Sequence, residues 1–387
     1  MDRRSVPENN KSAILLIDSG GLSHYTCYLA VGLAKYRDVV LYGFSDVQYN
    51  LTGAAKEKRI KFYNIGRKLP TGTSVVSSII YPFFLFLPLL KALTKTKYDI
   101  VHIQGQSWLF FLFIPLLKIK RKPIFWTLHD VDIRPSNPGM RGRLESLQVR
   151  LLCQNNFLRK HVNVIIVHGS KLRDKLISKG VDKNKIHVLP HFDYRYLLDS
   201  KSYSDNVDEY VLLFGKIKPY KGIDIFLKAS RLVREKLGSK FKVIIAGKGN
   251  MSYLAPLFRN DDKEYIQILN RYIPDSEISM LLRKAKFLVL PYTDGSQSGV
   301  IPLAYTFSKP VIVSDVGSIA EYVDNGITGL VFEVGNVNQL ADCMIEMLQN
   351  TETCIEMGIN GYEKMIKELS VEKCSAFLNE LYNECVK

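Results

Sequence analysis

The segment from Phe287 to Glu333 restricts the fold more than any other part of this 387-residue chain. An apolar run, Phe287 to Leu290, stops at Pro291. The small polar stretch Gly295-Ser296-Gln297-Ser298-Gly299 follows, and then a helical pattern from Val300 to Phe307. A second apolar run, Pro310 to Val313, ends in Ser314-Asp315-Val316-Gly317, after which a second helix start is expected. Short, continuous apolar runs bounded by turn residues read as strands buried on both faces, as in parallel sheets. Strand, glycine-rich turn and helix start, twice in succession, is how an open parallel sheet offers unpaired N–H groups to an anion. An ordinary β-α-β unit shows part of that pattern, so other residues must tip the balance.

Two more strand ends do so. Val211 to Phe214 runs into Gly215-Lys216 and then Lys221-Gly222, and Phe241 to Ala246 ends in Gly247-Lys248-Gly249. In an open α/β sheet the C-terminal strand ends share one edge, where ligands bind. Glycines let a ligand approach the backbone, and two lysines supply positive charge. A diphosphate-sized anion fits that inventory.

Earlier in the chain, short apolar runs recur at Ala13–Ile17, Val39–Phe44, Ile60–Ile65, Ile100–Ile103, Ile124–Leu128, Val164–Val167 and Ile186–Leu189, mostly separated by helical patterns. Strands alternating with helices predict doubly wound parallel sheets covered on both faces. The length allows two such domains, each with its own core. Asp199 to Glu209 is a polar interval, and the charge changes across it. Residues 1–200 hold 31 Lys+Arg against 14 Asp+Glu, whereas residues 201–387 hold 22 against 24. The expected division is therefore 1–199, a linker over 200–209, a second domain over 210–370, and a final helix over 371–387.

Six scattered cysteines, with no close pair at metal-ligand spacing, argue for buried thiols in a reducing compartment. The first residues lack the apolar core and cleavage site of a secretion signal, so a cytoplasmic location is expected. Ile79–Leu90 and Trp108–Leu117 are unusually greasy, the second running into Lys118, Lys120, Arg121 and Lys122. Each is about half the roughly 20 residues a spanning helix needs, and prolines interrupt both. Buried crossover helices are one reading. The other is a face lying on an anionic membrane, the chain being peripheral on its inner side. Nucleic acid is not an expected partner, since the aromatics interleave with leucine rather than arginine.

The ordered motifs of the second half resemble glycosyltransferase family 4, sugar-nucleotide-dependent enzymes of the GT-B fold: strand-Gly215-Lys216…Lys221-Gly222, Ala246-Gly247-Lys248-Gly249, the Ser/Gly loop before Lys309-Pro-Val-Ile312, and Gly317-x-x-x-Glu321. The first half is similar more loosely, through Gly20-Gly21, Tyr98-Asp-Ile-Val-His102 and Thr127-Leu-His129-Asp130. The resemblance implies two Rossmann-like domains facing across a cleft, with the final helix crossing back to the first. It also implies retaining transfer of a hexose from a nucleotide diphosphate sugar, without a metal or other cofactor; the pair Asp130-x-Asp132 is discounted as a metal ligand on that ground. One departure stands out. The family commonly has two glutamates at the positions held here by Gly295 and Leu303, which contact donor sugar and ribose.

Two negative charges grow on the leaving diphosphate as the anomeric bond breaks, and fixed cations and aimed N–H donors lower that barrier. Lys216 and Lys221 are the expected catalytic cations, and the resemblance adds His129. Gly215, Gly247, Ser296, Gln297, Ser298 and Gly299 are expected to bind the donor. Glu321 is the best remaining carboxylate for a hydroxyl, although an acid in a first helical turn is also favoured by the helix dipole. Gly20, Gly21 and His24 are placed on the acceptor side. The expected acceptor is a lipid-linked saccharide, as in assembly of capsule, exopolysaccharide or O-antigen. The rival readings are a catalytically silent sugar-nucleotide-binding membrane scaffold and a GT-B sugar-nucleotide epimerase.

Overall fold

The computed structural model describes residues 13–18, 23–44, 59–65, 86–105, 110–130, 160–199, 210–238 and 241–386. The chain forms two compact units. The first comprises Met1–Val167, Arg173–Val188 and Val371–Lys387, and the second His168–Leu172 and Leu189–Ser370. The division thus falls ahead of residue 199, and the proposed linker, 200–209, lies outside the described residues.

The first unit is a seven-stranded sheet in the order β3-β2-β1-β4-β5-β6-β7. Its strands are β1 (Ala13–Asp18), β2 (Asp38–Gly43), β3 (Ile60–Asn64), β4 (Ile100–Gln104), β5 (Ile124–Thr127), β6 (Val164–Val167) and β7 (Ile186–Val188). All pairings are parallel. The apolar runs read from sequence coincide with these strands within about a residue; for β1, β2, β4, β5 and β6 the reason is burial on both faces, which leaves little choice of composition. Helix α1 (Ser23–Ala34) links β1 to β2, and α2 (Phe110–Ile119) links β4 to β5. The two connections lead away from the sheet centre in opposite directions. Right-handed crossovers then put α1 on one face and α2 on the other.

The last helix of the chain packs on α1. Gly32 permits the approach, since a Cβ there would lie 2.9 Å from the Ser375 side chain. Lys35 pairs with Glu372 at 3.2 Å, and Arg37 donates to Asn379 at 2.6 Å and to Asn383. Deeper in, His102 Nδ1 meets the Tyr382 hydroxyl, while Nε2 is 2.8 Å from Thr127 Oγ1 and 3.0 Å from the Gln104 amide. Burial pushes the His102 imidazole down to about 3, so it is neutral at pH 7. These contacts give the C-terminal segment its place in the first unit.

The second unit is a six-stranded sheet in the order β10-β9-β8-β11-β12-β13. Its strands are β8 (Tyr210–Phe214), β9 (Val243–Ala246), β10 (Ile266–Leu269), β11 (Ala285–Leu290), β12 (Val311–Ser314) and β13 (Gly329–Phe332), again all parallel. Chain order reverses at β8/β11, the switch point at which open sheets of this winding bind ligands. β10 and β13 are edge strands that the sequence reading did not single out. In β10 only Ile266 is buried, so its apolar signal is diluted.

Candidate functional site

The C-terminal edge of the second sheet is held together by backbone packed on backbone. Gly247 has φ +151, and a Cβ there would lie 1.8 Å from Gly215 O, so the ends of β8 and β9 touch without side chains between them. Gly222 has φ +65, and its Cβ would fall 1.7 Å from Pro291 O. That contact brings the turn after β8 against the end of β11. Both glycines therefore have a steric reason as well as a conformational one.

The same turn aims Lys221. Pro219–Lys221 is a single 3₁₀ turn closed by Gly222 in the left-handed region, and α3 (Ile223–Leu237) starts from it. Tyr220 O accepts from Thr293 N at 2.9 Å. Lys221 Nζ consequently stands 3.6 Å from the ring centroid of Tyr292, the second residue after β11. A cation over an aromatic face is electrostatically favoured, more so where water is excluded. Tyr292 is fully buried, and its hydroxyl lies 3.1 Å from Ser298 Oγ. Burial pushes that hydroxyl well above the ordinary tyrosine range, so it stays protonated. Its carbonyl accepts from Ser314 Oγ at 2.6 Å, tying in the end of β12. Sequence reasoning passed over Tyr292; an aromatic directly after a strand-ending proline was the available signal.

The loop that follows is equally fixed. Ser298 Oγ accepts from Val300 N at 3.3 Å, at the start of α4 (Val300–Thr306). Ser296 O accepts from Ser318 N at 3.3 Å, and a Cβ on Gly317 (φ +54) would lie 1.7 Å from Gly295 O. Ser296 and Ser298 are buried. Gln297 is half-buried, and its Oε1 is shielded from water without a hydrogen-bond partner among the described residues. A buried acceptor left unpaired is costly, so this atom calls for a donor.

The two positions where carboxylates are missing have physical explanations. A side chain on Gly295 would start 2.5 Å from Ile319 Cδ1. Leu303 is buried in a core cluster with Tyr292, Ile301 and Tyr305. A side chain at Gly295 would require Ile319 to shift, and Leu303 supplies apolar packing at the other position.

Glu321 is used differently from the sequence reading. The helix expected after Gly317 is only a 3₁₀ turn, Ala320–Tyr322. Both carboxylate oxygens are engaged with the segment 168–172 of the same unit: Oε2 accepts from Ser170 N at 2.6 Å, and Oε1 from Lys171 N at 2.9 Å. Glu321 thus caps the start of a helix, where negative charge is favoured. Next to it, Tyr322 donates to His168 O at 2.7 Å and accepts from His191 N at 2.8 Å. The rings of His168 and His191 lie 4.9 Å apart, and a Cβ on Gly299 would sit 3.2 Å from His191 Cε1. His191 therefore borders the loop 295–299, and no motif in the sequence signalled it.

Of the remaining expected residues, Gly215 and Lys216 end β8, with Lys216 exposed. A Cβ on Gly215 would lie 3.9 Å from Val300, so the β8 end and the start of α4 are neighbours. In the first unit, His129 follows β5, is buried, and packs edge-on against Tyr25 with centroids 5.1 Å apart. His24 is half-buried at the start of α1, while Gly20, Gly21 and Asp132 lie outside the described residues.

Comparison with known proteins follows the same division. The model described as Glycosyltransferase Family 4 matches residues 19–192, and the one described as Glycosyl transferases group 1 matches residues 208–350. The chain is 22% identical to a D-inositol 3-phosphate glycosyltransferase of Corynebacterium glutamicum, over 95% of this chain and 93% of the relative. It is 22% identical to the amylovoran biosynthesis glycosyltransferase AmsK of Erwinia amylovora, over 54% of this chain and 53% of the relative. Among solved structures, Anabaena Alr3699/HepE in complex with UDP and glucose is similar with a TM-score of 0.70 and 16% identity, covering 96% of this chain and 100% of that one. This likeness places the two doubly wound units in the GT-B fold.

Proposed function

We infer that this chain, which belongs to the family 4 glycosyltransferases, moves a hexose from a nucleotide diphosphate sugar to a lipid-linked saccharide in cell-surface polysaccharide assembly. The observation that carries the donor half of this reading is Lys221 over Tyr292 at the β8/β11 switch point, beside a loop whose buried polar groups are fixed. In the proposed reaction the bond from the anomeric carbon to the diphosphate oxygen breaks. An acceptor hydroxyl oxygen takes its place on the same face, its proton passes to the departing phosphate oxygen, and the nucleoside diphosphate departs. Lys221 and Lys216 offset the charge growing on the departing oxygens, together with the Ser298 and Gly299 amides. With two ammonium groups so assigned, the reaction as proposed needs no divalent ion.

Gln297 is the proposed replacement for a missing carboxylate, its Oε1 accepting from a donor hydroxyl. His129, Gly20, Gly21 and His24 are proposed to serve from the first unit. The polysaccharide context is supported by the amylovoran relative, and UDP as carrier by what the Anabaena protein was crystallised with. Among the described residues no helix is long and apolar enough to cross a membrane, so a lipid-linked acceptor would be met from the surface.

The test is product formation from a panel of uridine, guanosine and adenosine diphosphate sugars with lipid-linked acceptors. Wild-type protein should form product, and Lys221→Ala should lower turnover by about 10²–10³-fold with the fold intact. Near-normal turnover of that variant would remove Lys221 from the site. Tight donor binding with no transfer would favour the silent-scaffold reading instead.

A further inference from the structure

The two greasy segments of the first unit prove two-faced. Residues 86–95 form a helix, and Phe86 stacks on Phe113 of α2 with centroids 5.1 Å apart. Seven residues further along each helix, Lys120 Nζ donates to Leu93 O. The two helices therefore run parallel and in step on the sheet face opposite α1. Their inner sides, Leu89, Ala92 and Leu93 with Phe113, Ile114 and Leu117, are buried in the core. Their outer sides are not. Leu87 is 71% exposed and Ile119 78%, the highest values of any large apolar side chain among the described residues.

The cations around them are sorted by the fold. Lys120 is turned onto a backbone carbonyl, and Lys122 pairs with Asp99 at 3.3 Å. Two cations of the basic run, Lys120 and Lys122, are thus engaged by neighbouring groups of the first unit, Lys122 in a half-buried pair. Lys118 and Arg121 remain exposed, as do Lys91 and Lys95 on the neighbouring helix. Neither 86–98 nor 110–123 contains an acidic residue. In-step helices place Lys91 level with Lys118, so apolar side chains and four cations share one outer surface.

We propose that the outer surface of these two helices, with Leu87 and Ile119 inserted and Lys91, Lys95, Lys118 and Arg121 around them, docks the chain on an anionic lipid bilayer. Exposed aliphatics suit the acyl boundary, and the acid-free ring of cations suits anionic headgroups. This deepens the reading of the chain as a transferase acting on a lipid-linked acceptor, and it rests on that reading.

The test is co-sedimentation of the full chain with phosphatidylcholine vesicles, with or without one-third phosphatidylglycerol, alongside donor turnover on a soluble acceptor analogue. Wild-type protein should bind the anionic vesicles, bind them less at high salt, and bind neutral ones weakly. Each basic residue at an anionic surface strengthens binding roughly fivefold, so K118E/R121E should weaken it by about thirtyfold or more. L87S/I119S should weaken it several-fold even at low salt, and K228E, on exposed Lys228 of the second unit, should not. Equal binding of K118E/R121E and wild type would overturn the proposal, as would no vesicle binding or retention on RNA alone. Soluble-acceptor turnover separates the two readings: intact turnover without vesicle binding sinks the docking surface only, and absent turnover sinks the enzyme assignment.

Discussion

The two sheets share one winding and use their polar residues in opposite ways. In the first, His102, Gln104 and Thr127 come from the ends of adjacent strands and turn inward to fix Tyr382 of the last helix. In the second, the strand ends carry glycines that let backbones touch, and the polar groups of the following loop gather around Tyr292 and Lys221. In the first unit these side chains hydrogen-bond one another and the last helix; in the second, Gln297 Oε1 is shielded from water without a hydrogen-bond partner among the described residues. The same topology thus anchors the last helix in one unit and, under the proposed function, would hold the donor in the other, in keeping with the rule that function lives in sites grafted on folds.

The hardest way to break that contrast is to put a methyl group where backbones touch. Gly222→Ala combines positive φ with overlap on Pro291 O, and the second unit should lose more than about 3 kcal/mol. Both tryptophans, Trp108 and Trp126, belong to the first unit, so their fluorescence should keep its denaturant midpoint while circular dichroism gains an early transition. Gly326→Ala, also at positive φ but with open space around it, should cost only about 1–2 kcal/mol.

Acid titration sharpens the comparison next. Burial lowers His168 to about 4, against an unfolded value near 6.5. The folded state therefore resists protonation: stability is full above pH 6.5, declines as the pH falls, and stops declining near pH 4. The loss is on the order of 3 kcal/mol. His102, held to about 3, should extend the decline in the first unit one pH unit further. Urea midpoints across pH 7.5 to 4 should flatten in His168→Gln, and an unchanged slope would assign the acid sensitivity elsewhere.

Smaller still, Tyr382→Phe leaves the buried His102 nitrogen without its partner. It should cost about 1–3 kcal/mol in the first unit while leaving donor turnover unchanged. The control is Lys236→Ala. Its pair with Asp342 is exposed on both sides, so a shift above about 0.5 kcal/mol would be unexpected.

Much of this was legible in the residues, for physical reasons. Strands buried on both faces leave continuous apolar runs, so the central strands of both sheets were readable; the thinly buried edge strands divided, β3 and β7 being read and β10 missed. Glycines at strand ends announced the edge where backbones meet, because no other residue fits backbone-on-backbone contact. The roles of Tyr292, His191 and Glu321 were not readable in the same way. Each depends on a partner far away in sequence: Lys221 over Tyr292, Gly299 beside His191, and the Ser170 and Lys171 amides on Glu321. Likewise, no count of lysines shows that Lys120 is held by the Leu93 carbonyl and Lys122 by Asp99.

A crystal structure with UDP bound tests the central claim most directly. The diphosphate oxygens should lie within hydrogen-bonding distance of Lys221 Nζ and the Ser298 and Gly299 amides, with Gln297 Oε1 accepting from a hydroxyl once a sugar is attached. Diphosphate bound away from the β8/β11 switch point, with Lys221 still resting over Tyr292, would contradict the account.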